Sequence, residues 1–263
     1  MCGIIGVSGV PDAARVAYLG LYSLQHRGQE SAGLVAVDGT GAARSHRGMG
    51  LVSDVFTEAV LAGLPGDVAI GHTRYSTAGS SVLANAQPIL ARYREGPLAL
   101  GHNGNLTNAT QLHADLVDKG SIFQTSSDSE VLVHLIARSE AREIEDQLLD
   151  ALERVEGAYS LVVTIGRTLY AIVDPRGFRP LWLGRDRLGD LRLRPHRRHA
   201  RARARARGIP AHHRRRARSP AAAPRQAAAP LHLRAGVFLA ARQHCLRSLG
   251  GPRAARAGPG AGA

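Results

Sequence analysis

The last 73 residues contain no acidic side chain, and this limits where a folded core can lie. Residues 191–263 carry 18 Arg and no Lys, Asp or Glu, a charge of +18. The other 16 Lys and Arg share residues 1–190 with all 21 acids, which gives −5, so the overall +13 belongs to the tail. If acids are about half of the roughly 25% charged residues of an ordinary chain, so long a gap has a chance on the order of one in ten thousand. The tail alphabet, as in "RPHRRHARARARARGIPAHHRRRARSPAAAPRQAAAP", is mostly Arg, Ala, Pro, Gly, Leu and His. It fits a disordered basic arm for nucleic acid or anionic surfaces, a low-complexity linker, or a GC-rich gene translated in the wrong frame. Composition alone does not separate the three.

The foldable part, up to about Leu188, alternates strand-like and helix-like segments. "CGIIGVS" is a short apolar run, followed by a helical pattern through Val16, Leu19, Tyr22 and Leu24, with Asp12 as its cap and Gly28 beyond its end. "AGLVAVDG" and "AARSHRG" read as strands around a turn at Gly39 and Gly41. "SDVFTEAVLAGLPG" reads as one helix, from Ser53 or Asp54 to Gly63 or Pro65. "DVAIGHTRYST" and "PLALGHNGN" are apolar strands that break into polar letters, which puts polar side chains at the mouth of a sheet. Three helices follow. The second opens with a capping-box pair, Ser127 and Glu130, and the third carries Leu148, Leu152 and Val155 on one face. "AYSLVVTIGRTLYAIVDPRG" and "RPLWLG" return to strands. Strands at both ends with helices between them predict an α+β chain of two mainly antiparallel sheets and outer helices.

Cys2 and Cys245 are too few and too far apart for a disulfide framework or a metal cluster, so a reducing, cytoplasmic setting is expected. No apolar run approaches the length of a membrane span, and Met1 leads into a strand rather than a signal peptide. Removal of Met1 would leave a thiol and a free α-amine on Cys2. The thiol needs a base near neutral pH, and that amine can supply one, as in N-terminal nucleophiles; alternatively Cys2 is a small apolar residue that starts a strand. Arg74, at a strand end before hydroxyls and glycines, suits a bidentate grip on a carboxylate, or a structural salt bridge. Asn103 and Gly104 could converge on an oxyanion, or form an ordinary Asn-Gly turn. Asp128 could hold an ammonium group, or cap a helix. Together these groups would hydrolyse the side-chain amide of a free amino acid, and glutamine is the natural candidate.

"MCGIIGV", "LQHRGQESAG", "GLVSDVF", "IGHTRYSTAGSS", "LGHNGNLTNA", "TSSDSE", "EGAYSLVV" and "DPRGFRPLWLG" resemble, in order, the glutaminase half of the amidophosphoribosyltransferase family. The resemblance covers residues 2 to about 188. It implies a type 2 glutamine amidotransferase domain over 2–188 with the four-layer αββα N-terminal-nucleophile fold, missing its last strands. Cys2 would be the nucleophile, Asn103 and Gly104 the oxyanion hole, Arg74 the carboxylate site and Asp128 the ammonium site. Tyr75, Ser76 and Thr77 would begin a segment that closes over the site as far as Asn85. His26, Arg27 and Gly28, in the "HRGQ" turn, would shape the site rather than react. Family members pass the ammonia to a phosphoribosyltransferase domain acting on phosphoribosyl pyrophosphate, in the first step of purine synthesis.

Residues 189–263 do not resemble that second domain, and they read as a disordered Arg/Ala/Pro-rich tail. "LHLRAGVFLAARQHC" can be encoded so that a shift of one base reads Cys-Ile-Phe-Glu-Arg-Ala-Tyr-Phe-Ser-Arg-Pro-Asp-Ser-Ile. That string is similar to the family segment CIFE-x-x-YF-x-RPDS, which points to a frameshift near Gly189 or Asp190. On this expectation the chain hydrolyses glutamine without transferase activity and leaves a sheet edge unpaired. No cofactor or metal is expected for the glutaminase half. Mg2+ and phosphoribosyl pyrophosphate belong to the transferase half, an iron–sulfur cluster is left open, and Cys245 is not enlisted for one. An intact family member is expected to be a homo-oligomer, with no membrane or specific nucleic-acid partner. Two further readings are a glutaminase serving another acceptor, such as a sugar phosphate, and a basic nucleic-acid-binding protein.

Overall fold

A computed structural model describes residues 2–75, 81–185, 231–233 and 237–240. The elements run β1 (Gly3–Ser8), α1 (Ala13–Ser23), β2 (Ser31–Val37), β3 (Ala43–Met49), α2 (Val52–Val55), α3 (Glu58–Ala62), β4 (Val68–Arg74) and β5 (Ile89–Tyr93). There follow β6 (Gly96–Leu106), α4 (Ala109–Asp118), α5 (Ser129–Arg138), α6 (Ile144–Arg154), β7 (Gly157–Ile165), β8 (Thr168–Val173), β9 (Trp182–Arg185), β10 (Leu231–Leu233) and β11 (Val237–Ala240). Single 3-10 turns lie at Gln25–Arg27 and Leu83–Asn85.

The strands form two sheets, β3-β2-β4-β1-β11-β9 and β10-β8-β7-β6-β5. Neighbouring strands are antiparallel throughout both. Every residue of β1, β2 and β4 is buried, because one face meets helices and the other meets the second sheet. Strands covered on both faces read as near-continuous apolar runs rather than alternation, as "GLVAV" and "DVAIG" do. Ile5, Val7, Leu34 and Ala36 pack against α1 to α3, while Ile4, Val35, Ile70, Ala99 and Val162 pack between the sheets. Leu98, Leu100 and Leu161 pack against α4 to α6. The result is the expected α+β arrangement of four layers, αββα.

Local departures have local causes. The helix expected over "SDVFTEAVLAG" is two, α2 and α3, because the Thr57 hydroxyl accepts the Val60 N–H and starts a second helix. Asp12 stands before α1 in the left-handed conformation, φ 53°, with no side-chain capping bond. The last strands of the sheets are not missing: β11 pairs with both β1 and β9, and β10 pairs with β8. The edge of β1, buried on both faces, would otherwise leave its N–H and C=O groups unsatisfied, and "VFLA" in the tail supplies a strand without Pro or charge. The expected disorder of the remaining tail and the boundary at 188–189 lie outside the described residues.

Candidate active site

The first sheet brings the nucleophile candidate and the carboxylate candidate to one end. Side chains two residues apart on a strand share a face. Cys2, two before Ile4, and Arg74, four after Ile70, therefore lie on the face that looks toward the second sheet, where Ile4 and Ile70 pack. Gly3 pairs with Thr73, and its N–H donates to the Thr73 hydroxyl at 3.2 Å. The Cys2 thiol, half-buried and free, faces the Tyr75 carbonyl oxygen at 3.8 Å. Arg74 is 4% exposed, and its Nη1 donates to Glu30 Oε1 at 2.7 Å, so the salt-bridge alternative is realised and one edge of the guanidinium is fixed.

The "HRG" turn supports this end from below. Arg27 is buried and its Nε donates to the Cys2 carbonyl oxygen at 3.1 Å, while Gly28 lies buried against the backbone of Thr73 and Arg74. Burial is the largest influence on Arg27 and lowers its pKa; the neighbouring Cys2 side chain opposes this and the charge of Arg179 adds to it. His26 is exposed. Tyr75 is exposed as well, and Ser76 and Thr77 lie outside the described residues.

Asn103 and Gly104 do not form a turn. They lie inside β6, paired with Ser160 and Tyr159 of β7, so the strand runs on through the polar letters where an end was expected. Asn103 is buried, four residues after Ala99, and faces the first sheet by the same parity. Asp128 does occupy the residue before α5, yet its side chain makes no capping bond. Its Oδ2 accepts the Leu106 N–H at 3.1 Å and its Oδ1 lies 3.6 Å from His102 Nδ1, so the carboxylate is turned onto the end of β6. Burial is the largest influence on Asp128 and would raise its pKa. The neighbouring His102 ring, with the Leu106 N–H and the Ser129 hydroxyl, outweighs that burial and holds the group below the ordinary aspartate value. The expected capping box is likewise absent: Glu130 accepts the N–H groups of Gln124 and Thr125 and organises the loop before α5.

Several supporting residues escaped the sequence reading. Gln87 accepts the His102 N–H at 2.8 Å and donates to Ser129 Oγ at 3.0 Å, and Ser129 Oγ lies 2.9 Å from His102 Nδ1. Asn85 exchanges two hydrogen bonds with Ser126, 2.9 and 3.0 Å, tying the segment after Arg74 to the turn that carries Asp128. His72 Nε2 reaches the His102 carbonyl oxygen at 3.0 Å. The repeated Gly-His in "GHTR" and "GHNG" was the available signal for the two histidines. Among the described residues no group of three or more His, Cys, Asp or Glu is arranged to hold a metal, and no helix is long and apolar enough to cross a membrane.

Residues 72–193 match the family described as a glutamine amidotransferase domain. The chain is 54% identical over 184 residues to amidophosphoribosyltransferase 2, chloroplastic, of Arabidopsis thaliana, covering 70% of this chain and 33% of that relative. It is 51% identical over 184 residues to the amidophosphoribosyltransferase of Lacticaseibacillus casei, 94% of which it covers with 70% of its own length. Among solved structures, the glutamine phosphoribosylpyrophosphate amidotransferase of Bacillus subtilis, in complex with ADP and GMP, superposes with a TM-score of 0.65 at 46% identity. The superposition covers 72% of this chain and 40% of that one. The chain spans about a third of the length of the plant relatives it matches.

Proposed function

Because the chain belongs to the amidophosphoribosyltransferase family, with the family's glutamine amidotransferase domain, we propose that Cys2 is the nucleophile that hydrolyses glutamine. What carries the reading is one juxtaposition: Cys2 and Arg74 on the inward face of one sheet, Asn103 on the inward face of the other, and the Asp128 carboxylate turned to the end of the Asn103 strand. With Met1 removed, the Cys2 α-amine takes the thiol proton and the sulfur attacks the side-chain amide carbon. The Asn103 amide and the Gly104 N–H receive the oxyanion. The α-ammonium returns its proton to the leaving nitrogen, the C–N bond breaks and ammonia departs, leaving a thioester. Water then attacks the thioester, glutamate leaves and the thiol is restored. Arg74, with one edge on Glu30, holds the substrate α-carboxylate, and Asp128 holds its α-ammonium. Arg27 and Gly28 shape the floor of the site. A free, nucleophilic thiol suits a reducing, cytoplasmic setting.

Transfer of the ammonia to phosphoribosyl pyrophosphate, with its Mg2+, is proposed only for a chain that carries the rest of the family's length. For residues 189–263 we propose an out-of-frame reading. Both described tail strands, 231–233 and 237–240, fall in the segment whose shifted reading resembles the family. Sequencing the gene across Gly189 and Asp190 tests this: a shifted frame that runs at once into stops would overturn it. For the active site, ammonia release from glutamine is compared between the purified chain and Cys2→Ser. The wild type should turn over and the variant should fall below about 1% of it; equal rates would remove Cys2 from the chemistry.

A further inference from the structure

His72 takes no part in that chemistry, yet it is buried at the centre of the sandwich. It is 0% exposed and lies on the inward face of β4, two residues after Ile70 and two before Arg74. Its Nε2 is 3.0 Å from the backbone oxygen of His102, on β6 in the opposite sheet. A carbonyl oxygen only accepts, so Nε2 carries the proton and the tautomer is fixed. Nδ1 is then bare, and among the described residues it has no hydrogen-bond partner. An apolar side chain would fill the same space without leaving that nitrogen unsatisfied. What the imidazole adds is a donor aimed across the gap between the sheets.

Ile4, Val35, Ile70, Ala99 and Val162 pack together in that gap. Apolar contact resists separation but is not directional, so it sets the slide of one sheet over the other only loosely. A hydrogen bond has a required distance and angle. The acceptor is the carbonyl of the His102–Asn103 peptide, so a shift of that oxygen moves Asn103. His102 is held on its other sides: its N–H donates to Gln87 Oε1, and its ring Nδ1 meets Ser129 Oγ. On the donor side, His72 is opposite Ile4 in the β1–β4 ladder, two residues from Cys2.

We propose that His72 is a positioning residue whose Nε2–H···O bond to His102 fixes the first sheet, with Cys2 and Arg74, against the strand that carries Asn103 and Gly104. The proposal rests on the glutamine-hydrolysis reading above. The bond needs no charge on the ring. Burial is the largest influence on His72 and pushes its pKa down to about 4; the bond to the His102 carbonyl opposes this and the Arg74 charge adds to it. The charged or titratable groups around it are Arg74 on its own strand and His102 on β6, with Asp128 behind His102.

The test compares His72→Leu with His72→Asn and His72→Gln, both of which keep an N–H donor. His72→Leu should lower kcat for glutamine hydrolysis roughly ten- to a hundredfold, the scale of a misplacement near 1 Å, with KM within about twofold. At least one amide variant should recover most of the loss. Alkylation of Cys2 by iodoacetamide needs the thiol but no oxyanion hole, so its rate should stay within about twofold in all three. Wild-type kcat in His72→Leu overturns the proposal. So does an equal loss in hydrolysis and alkylation, or no recovery in either amide variant. If His72→Leu does not fold, the amide variants and proton–nitrogen NMR of the wild type decide. The ring should be the Nε2–H tautomer at neutral pH, and an Nδ1–H tautomer overturns the proposal. Failure of the glutaminase reading shows separately, as ammonia release that survives Cys2→Ser while the NMR result for His72 stands.

Discussion

Gly28→Ala tests the site through one methyl group. Gly28 has φ −159° and ψ 122°, extended backbone open to any residue, so conformation does not demand glycine there. Space does. A Cβ at Gly28 would stand 2.7 Å from both the carbonyl carbon and the oxygen of Thr73 and 2.8 Å from the carbonyl carbon of Arg74. Ordinary contact begins at 3.4 Å, so backbone must yield by about 0.7 Å, with no side chain to rotate aside. The end of β4 resists, since Thr73 pairs with Gly3 and Arg74 with Ser31. Either Arg74 is displaced, or the turn retreats and draws Arg27 off the Cys2 carbonyl. Overpacking of this kind costs about 1–3 kcal/mol, a fall in Tm of about 2–12 °C for a domain of this size. The misplaced guanidinium should lower kcat/KM for glutamine roughly ten- to a hundredfold. Gly39→Ala is the control, because a Cβ there meets nothing within 4 Å. Thermal melting and ammonia release are measured on both. If Gly28→Ala matches Gly39→Ala in both, the turn does not support the site as described.

Glu30→Gln keeps the shape beside Arg74 but removes the charge from a pair at 2.7 Å whose side chains are 5% and 18% exposed. The loss of a charged hydrogen bond, about 1.5–3 kcal/mol, should raise KM for glutamine about tenfold, and an unchanged KM would mean Glu30 does not orient Arg74. Asn85→Ala removes both bonds to Ser126; it should lower stability by about 1–3 kcal/mol and raise KM more than it lowers kcat, whereas a pure kcat effect in steady-state assays would refute the link to Asp128. Acid should destabilise the domain through His72, whose folded pKa lies below its unfolded value. The native ring refuses the proton that the unfolded chain accepts, so stability is full above pH 6.5 and falls toward about pH 4. The loss amounts to about 3 kcal/mol. Asp128, whose folded pKa is depressed, adds its own loss only at lower pH. Urea unfolding between pH 7.5 and 4.5 should show the His72 slope in the wild type and a flatter one in His72→Gln, and equal slopes would remove His72 as its source.

The candidate site was legible where chemistry sits at the end of an apolar run. "DVAIGHTR" and "PLALGHNGN" both show hydrophobic letters giving way to polar ones, and that break points to Arg74, Asn103 and Gly104 without any knowledge of the fold. The supporting shell was not legible, because its pairs are far apart in sequence. Arg74 and Glu30 are 44 residues apart, Gln87 and Ser129 42, Asn85 and Ser126 41, His72 and His102 30. Such pairs are set by sheet register and by how the two sheets stack, and neither leaves a local spacing to read. Asp128 shows the same limit on one residue. Its position before α5 is a capping position, and the letters "TSSDSE" favour a cap. What turns the carboxylate away is the end of β6, which brings an N–H at Leu106 and the ring of His102 from 22 and 26 residues earlier.

The tail strand separates what holds Cys2 from what completes the sheet. β1 lies between β4 and β11, but its two partners hold different lengths of it. β4 pairs with β1 from Gly3 to Ser8, whereas β11 pairs only from Ile5 to Ser8. The end of β1 next to Cys2 is therefore fixed by Thr73, through both the ladder and its hydroxyl, and by the Arg27 bond to the Cys2 carbonyl. Every one of those contacts comes from the part of the chain whose composition is ordinary. β11 closes the far half of β1, where an open edge would be a site for pairing with another chain. Solubility of the domain thus depends on whatever strand lies beside Ile5–Ser8, while the geometry at Cys2 depends on Thr73 and Arg27. A different sequence at 237–240 that still forms an antiparallel strand would serve the first role and leave the second untouched.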